Sequence, residues 1–208
     1  MASVSQQRRE YVAELARKNR EFYGTTDGRG ILRSLELIFA YRWVYIFELI
    51  QNALDASAQS IAIQVSDDGD TLILQHDGTR EFDEPDVEAL SKVFRSTKSA
   101  SSVGFMGIGF KSVFMRFQEA RISGWGWTFR YEVERVKGAE YGDVQTDLLG
   151  AVVPIWDPGV PRPDPGFTTR FELSTRMDQN ADLESDLARL LPDTDRTPLA
   201  ILAVAGLE

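Results

Sequence analysis

Apolar positions recur every three or four residues between residues 31 and 58, which predicts one or two helices there. The last of these helices has an apolar stripe that we expect to face the core: Trp43, Phe47, Ile50 and Leu54. Glu48, Asn52 and Asp55 form a polar stripe at spacings of four and three residues. Polar groups among so many apolar neighbours are costly to bury unless they meet a ligand, water or each other. The helix is therefore predicted to carry a core face and a chemical face, although an ordinary solvated face has the same pattern.

The period of the pattern changes from 3.6 to 2 after residue 57. Two short alternating runs, 61–65 and 71–75, flank an Asp-Gly turn, which predicts a β-hairpin. The second strand ends at His76-Asp77-Gly78. Asp83 is expected to cap the helix that follows, with Pro85 in its first turn.

The remaining pattern predicts helices at both ends and strands in between. We expect an N-terminal helix over 6–22, packed weakly or against a partner, and a break at the glycines of 24–30. Further strands are predicted over 120–124, 128–136, 151–156 and 168–174, and closing helices over 182–191 and 199–207. The proline-rich stretch before residue 168 is interpreted as a loop within the sheet. The chain is thus expected to form one compact domain over 31–208 with an N-terminal helical segment, 1–30, and to be the N-terminal part of a longer protein.

Composition narrows the class of protein. The chain has 208 residues, 43% of them hydrophobic, enough for a sizeable core. A net charge of −9 gives no basic surface for nucleic acid, so direct nucleic-acid binding is not expected. The absence of cysteine excludes disulfides and thiolate metal sites, and no apolar run is free enough of charge for a membrane span. We expect a soluble, cytoplasmic protein.

A glycine-rich stretch, residues 104–112, precedes an apolar run at helical spacing that includes Val113, Phe114 and Phe117. Its glycines let the backbone approach an anion closely. The order G-x-x-G-x-G differs from the dinucleotide fingerprint G-x-G-x-x-G. It also differs from the P-loop, because Phe110 separates the last glycine from Lys111-Ser112 and rotates the lysine by about 100° about a helix axis. Lys111 is expected to face either phosphates or, more commonly, solvent.

Two motifs in this order resemble those of the GHKL ATPase domain, which gyrase-type topoisomerases, ninety-kilodalton heat-shock chaperones, sensor histidine kinases and mismatch-repair ATPases share. Residues 48–56 are similar to the family's E-L-x-x-N-A-x-D-A helix, and residues 104–114 to the chaperone G-x-x-G-x-G-F-x-S-x-F box. The sequence of the second motif looks most like that of sacsin-type and related chaperone-like ATPases. The resemblance covers about 42–173. It implies an α+β fold, a two-layer sandwich in which helices cover one face of a mixed, mostly antiparallel sheet.

The resemblance also implies a site for ATP and Mg²⁺. Glu48 would activate the attacking water and Asn52 would coordinate magnesium, roles that a carboxylate and an amide oxygen can perform. Asp55 would shape the site, and Lys98 would lie in a mobile lid, residues 95–105, that closes over the nucleotide. The other implied nucleotide-binding residues are Asp77, Gly78, Gly104, Phe105, Gly107, Ile108, Gly109 and Thr169.

One position departs from the family pattern D-x-G-x-G. His76 stands where the aspartate would accept a hydrogen bond from the adenine amino group, and Arg80 replaces the second glycine. An imidazole has one acceptor nitrogen when neutral and none when protonated. Either Asp77 takes over the contact, or base recognition is altered, or His76 only caps the strand while the phosphates hold the nucleotide.

The function that the resemblance implies is a magnesium-dependent, chaperone-like ATPase that acts on a protein client or partner and dimerises in response to nucleotide. Two alternatives stay open: a non-hydrolysing module in which nucleotide gates binding or dimerisation, and the ATPase subunit of a DNA-processing system. A self-phosphorylating histidine kinase is excluded for this chain, because its one histidine, His76, lies at the end of a predicted strand.

Overall fold

The structure, a computed structural model, describes residues 3–38, 44–93, 108–137, 144–175, 183–188 and 200–202. The α-helices are α1 (Val4–Tyr23), α2 (Thr26–Ile38), α3 (Val44–Asp55), α4 (Glu84–Ser91) and α5 (Leu183–Ala188). Two 3₁₀ helices span Gly109–Met115 (η1) and Leu148–Val152 (η2). The strands are β1 (Ile61–Val65), β2 (Thr71–His76), β3 (Phe117–Gly124), β4 (Trp127–Glu132), β5 (Glu134–Lys137), β6 (Val144–Asp147), β7 (Ile155–Trp156), β8 (Thr169–Thr175) and β9 (Ala200–Leu202).

Seven strands form one sheet in the order β7-β4-β3-β8-β2-β1-β9, and β5 and β6 form a separate hairpin. Every strand pair in the described part of the chain is antiparallel. The α+β class is therefore confirmed. The described sheet is entirely antiparallel, where the family resemblance implies a mixed, mostly antiparallel one.

The two faces of the sheet differ because side chains alternate along each strand. Leu72 and Leu74 of β2 and Phe171 and Leu173 of β8 lie on the buried face. Charged residues of the central strands occupy the other face, where Arg130 of β4 forms ion pairs with neighbouring carboxylates. The hydrophobic core thus lies between one face of the sheet and the helices.

The N-terminal helix belongs to this core. Val12, Leu15 and Tyr23 of α1 are buried in the same hydrophobic cluster as the sheet. Buried Asn19 donates hydrogen bonds from Nδ2 to the carbonyls of Ser91 (2.8 Å) and Val152 (2.6 Å). The expected weak packing of this helix is wrong, because its apolar stripe meets the sheet and η2.

Several local predictions are confirmed. The hairpin pairs Ile61 with His76. Asp83 caps α4 through a capping box, with Pro85 in the first turn. The proline-rich stretch is a loop between β7 and β8, held to β2 by a 2.7 Å hydrogen bond from Gln75 Nε2 to Asp164.

Other local predictions are wrong. Helix α2 begins at Thr26, within the expected break, because Thr25 Oγ1 accepts a hydrogen bond from the Gly28 amide at 3.1 Å and caps the helix. The strand expected over 128–136 is interrupted at Val133, and the β5–β6 hairpin follows. In the strand expected over 151–156, only Ile155–Trp156 are extended, as β7; residues 151–152 belong to η2 and residues 153–154 form an irregular connection. Residues 200–202, expected in a helix, form β9 beside β1.

None of the described helices is both long and apolar enough to cross a membrane.

Candidate functional site

Helix α3 carries the polar stripe predicted from the sequence. Glu48 and Asn52 are half-buried, and Asp55 is exposed. The core face of α3 is different from the expected one. Its buried residues are Tyr45, Ile46, Leu49 and Ala53. Of the residues expected in the core, Phe47 is 49% exposed, Leu54 is 43% exposed and Ile50 is only partly buried. Trp43 lies outside the described residues.

The reason for this correction is that α3 is apolar on two faces. Both sets of positions satisfy helical spacing, so periodicity could not choose between them. Packing against the rest of the fold buries the face that includes Tyr45 and Ala53. Glu48 then lies at the edge of the buried face.

Glu48 lies against the end of the glycine-rich stretch. A Cβ atom built on Gly109 would lie 1.8 Å from Glu48 Oε2 and 2.4 Å from Glu48 Cδ. Only a residue without a side chain allows the carboxylate to occupy this place. The fold therefore joins the two motifs that lie far apart in the sequence.

The rest of the glycine-rich stretch is only partly described. Ile108 is buried and precedes η1, which begins at Gly109. Lys98, Gly104, Phe105 and Gly107 lie outside the described residues, as does the predicted lid. The run after Gly109 is a 3₁₀ helix, and the predicted apolar residues Val113, Phe114 and Phe117 are buried.

Asp77 holds the turn after α3 in place. Its Oδ1 accepts hydrogen bonds from the backbone amides of Gln59 (2.8 Å) and Ser60 (2.9 Å). Desolvation raises the pKa of this carboxyl, but the hydrogen bonds from Ser60 and Gln59 outweigh it and hold the pKa below its ordinary value. At neutral pH Asp77 is an ionised acceptor that joins the end of β2 to the start of β1.

His76 is buried on the core face of β2. Its Nδ1 accepts a hydrogen bond from the Gly78 amide at 3.1 Å, and its ring stacks on Phe171 with centroids 6.4 Å apart. Burial lowers the pKa of His76 to about 4, against a smaller opposing effect of the Asp77 charge. The imidazole is therefore neutral at pH 7, with its proton on Nε2, and it caps the turn at the strand end.

Thr169 is buried opposite His76 across the β2–β8 pair. Its neighbour Thr168 donates a hydrogen bond from Oγ1 to the Gly78 carbonyl at 2.7 Å and from its amide to the His76 carbonyl at 2.9 Å. The sequence prediction missed Thr168. A polar residue at the start of the predicted strand, 168–174, was the available signal.

Arg80, at the position of the family's second glycine, makes a two-pronged ion pair with Asp86 of α4, at 2.9 and 3.0 Å. Hydrogen bonding to Asp86 raises the pKa of Arg80. Its backbone amide donates to the Ala56 carbonyl at 3.1 Å. Arg80 thus links the segment after β2 to the C-terminal end of α3 and to the first turn of α4.

Gly78 lies in a space that admits no side chain. A Cβ atom there would lie 2.8 Å from Ala56 Cβ, from the Ala56 carbonyl oxygen and from His76 Nδ1. The strand end and the end of α3 therefore approach each other through this glycine.

Gly78→Ala is expected to destabilise the protein by about 2 kcal/mol, the usual cost of overpacking a tight site. Urea unfolding measures the loss. Gly30→Ala is the matched control, because a Cβ in α2 at that position meets nothing within 4 Å, and alanine there should stabilise the helix by about 0.5 kcal/mol. Equal stability of Gly78→Ala and wild type would contradict the close approach.

Lys111 faces neither phosphates nor solvent, which corrects both expectations for it. Its side chain is buried, and Nζ donates hydrogen bonds to the carbonyls of Leu90 and, at 2.7 Å, Ala151. The extra residue that separates it from Gly109 turns it into the core. This orientation agrees with the rejection of a P-loop.

Among the described residues, no three or more His, Asp or Glu side chains are grouped to hold a metal ion. The magnesium site that the family resemblance implies would have one protein ligand, the Asn52 amide, and would take its other ligands from phosphate oxygens and water.

No protein-family model matches the chain, and a search of the curated proteins found no match.

Proposed function

We propose that this domain binds ATP with magnesium and hydrolyses it, as the GHKL ATPase domain that it resembles does. The observation that carries the proposal is the contact of the Glu48 carboxylate with Gly109. A general base must lie beside the backbone that receives the phosphates, and an acid at the end of a glycine-rich stretch meets that requirement.

Each residue has a role that its chemistry suits. Glu48 accepts the proton of the attacking water, and the Asn52 amide oxygen binds magnesium one helical turn away on α3. Magnesium, when bound, offsets negative charge on the triphosphate. Gly109 and Ile108 would line the phosphates, and Asp55 would shape the edge of the site. The family resemblance implies the same phosphate-binding role for Gly104, Phe105, Gly107 and Lys98, which lie outside the described residues.

The adenine base of the nucleotide would lie at the end of β2. Thr169, Gly78 and Asp77 surround this place, and Thr168 and Arg80 fix its backbone. Asp77 Oδ1 already accepts hydrogen bonds from two backbone amides, so the contact with the adenine base would fall to Oδ2. His76 acts here as a neutral cap of the turn.

The first experiment measures how much Asn52 contributes to binding of the nucleotide with magnesium. Calorimetry with a non-hydrolysable ATP analogue and magnesium should show binding that weakens about tenfold in Asn52→Ala, the effect of losing an interaction of ~1.4 kcal/mol. Gln118→Ala is the control, because Gln118 is an exposed amide on β3. Failure of the wild-type protein to bind any purine nucleotide would overturn the proposal.

A second candidate is a non-hydrolysing module in which nucleotide gates dimerisation or the docking of a protein partner. The observation in its favour is His76, which stands in the family's aspartate position with its acceptor nitrogen already bonded to Gly78. Tight binding of the analogue without turnover of ATP would select this candidate. A DNA-processing assembly would need its basic surface on another subunit, given the net charge of −9.

A further inference from the structure

Lys111 is a buried lysine that has no carboxylate beside it among the described residues. Its Nζ contacts two carbonyl oxygens, those of Leu90 and Ala151, and lies 5.5 Å from the ring centre of Phe110 and 5.2 Å from that of Tyr131. In the described part of the chain it forms no ion pair. Burial of an ammonium group without a carboxylate is costly, and an apolar residue would fill the same space without that cost.

The two carbonyls belong to different elements. Leu90 lies in the last turn of α4, and Ala151 lies in η2. A lysine on η1 therefore links three separate segments of the chain, since only a long side chain with several donors can reach both acceptors.

Asn19 of α1 forms a second bridge between α4 and η2. Its Nδ2 bonds the carbonyls of Ser91 and Val152, the residues that directly follow Leu90 and Ala151. Two side chains thus bridge two consecutive carbonyls of α4 to two consecutive carbonyls of η2. The paired bridges fix the distance and the rotation between the two elements, which a single bridge could not do.

The Lys111 bridge begins beside the proposed catalytic contact. The Lys111 amide donates to the Ile108 carbonyl at 2.8 Å, and Ser112 Oγ donates to the Gly109 carbonyl at 2.6 Å. The first turn of η1 is therefore held on one side by Lys111 and meets Glu48 on the other. A shift of this turn would move the Glu48 carboxylate.

We propose that Lys111 is a positioning residue for the site: its buried Nζ anchors the first turn of η1 to α4 and η2 and so sets the contact between Gly109 and Glu48. This inference rests on the proposed function for its kinetic consequence. Asn19, through the parallel bridge, makes α1 part of the same support.

Turnover by Lys111→Met tests the proposal. We expect kcat to fall about tenfold or more with KM changed less than about threefold, because a small misplacement of a catalytic group lowers the rate without removing binding. Ile63→Ala is the control: Ile63 is a core residue of β1, which β2 and β8 separate from β3. It should lose stability and keep kcat.

Restoration of the ammonium group separates positioning from packing. The chain contains no cysteine, so Lys111→Cys can be alkylated selectively with 2-bromoethylamine in denaturant and refolded. The product carries an amine on a side chain of nearly the same length. Recovery of kcat to within about threefold of wild type is expected, because the bridging donors are restored. No recovery in the refolded protein would overturn the proposal.

A readout without nucleotide distinguishes failure of this inference from failure of the proposed function. The carboxyl carbon resonance of Glu48 should shift in Lys111→Met, although residues 48 and 111 are far apart in sequence. If wild type neither binds nor hydrolyses ATP, the proposed function fails and this shift still tests the positioning. An unchanged Glu48 resonance, or an equal loss of kcat in Ile63→Ala, would overturn it.

Discussion

Replacement of Glu48 by glutamine is expected to lower ATP turnover by at least about 100-fold, the usual contribution of a general base, while nucleotide binding is retained. Glutamine has the shape of glutamate but cannot accept the proton of the attacking water at neutral pH. The measurement is release of phosphate under saturating ATP, with binding followed by calorimetry. Glu10→Gln, an exposed substitution on α1, is the control.

Gly109→Ala should reproduce this loss with Glu48 itself left unsubstituted. The new Cβ would lie 1.8 Å from Glu48 Oε2, the end of a flexible side chain, so the carboxylate moves rather than the backbone. Turnover should therefore fall while the protein stays folded. Normal turnover in either variant would contradict the role of Glu48, and loss of binding in Glu48→Gln would indicate that the carboxylate supports the site structurally.

The stability of the protein is expected to rise between pH 7 and pH 9.5 because of Lys111. Burial lowers the pKa of Lys111 from 10.5 to about 7. Well below pH 7, both the folded and the unfolded chain carry the proton, and folding bears the full penalty of burying the charge. Above pH 7 the folded chain releases the proton and the unfolded chain keeps it, so the free energy of unfolding increases with pH.

The expected gain over this window is about 3 kcal/mol, with a slope that approaches ~1.4 kcal/mol per pH unit. Among the described residues, the titratable group that contacts Nζ is Tyr131 of β4; burial raises the pKa of Tyr131, so its hydroxyl stays neutral over this range. The contacts from α4 and η2 are carbonyls, and the aromatic contact from η1 is Phe110. Urea unfolding at several pH values measures the slope, and Lys111→Met should remove it. An equal slope in that variant would show that other groups cause it.

Lys111→Met has two opposite effects on the stability of the protein. Lys111→Met removes a buried charge, which favours folding, and leaves the Leu90 and Ala151 carbonyls without a donor, which opposes it. The two effects offset each other in part at pH 7. The variant should therefore fold, which makes it a fair test of positioning.

The sequence by itself determined the parts of the fold that depend on local chemistry. The hairpin of β1 and β2 follows from alternation around an Asp-Gly turn, and the start of α4 follows from the capping chemistry of Asp83 and Pro85. The polar spacing of Glu48, Asn52 and Asp55 on one helix also follows from the residues alone. These features need only near neighbours in the chain.

Only the tertiary structure decided which face of α3 is buried, where Lys111 points and how residues 200–202 pair. Two apolar faces of α3 have the same periodicity, and the choice depends on what the sheet and η1 present to them. Residues 200–202 add a strand to β1 because that edge offers unpaired backbone groups, which no local pattern reveals. The contact of Glu48 with Gly109 is of the same kind: the sequence names both residues, but only the packing of α3 against η1 brings the carboxylate to the glycine.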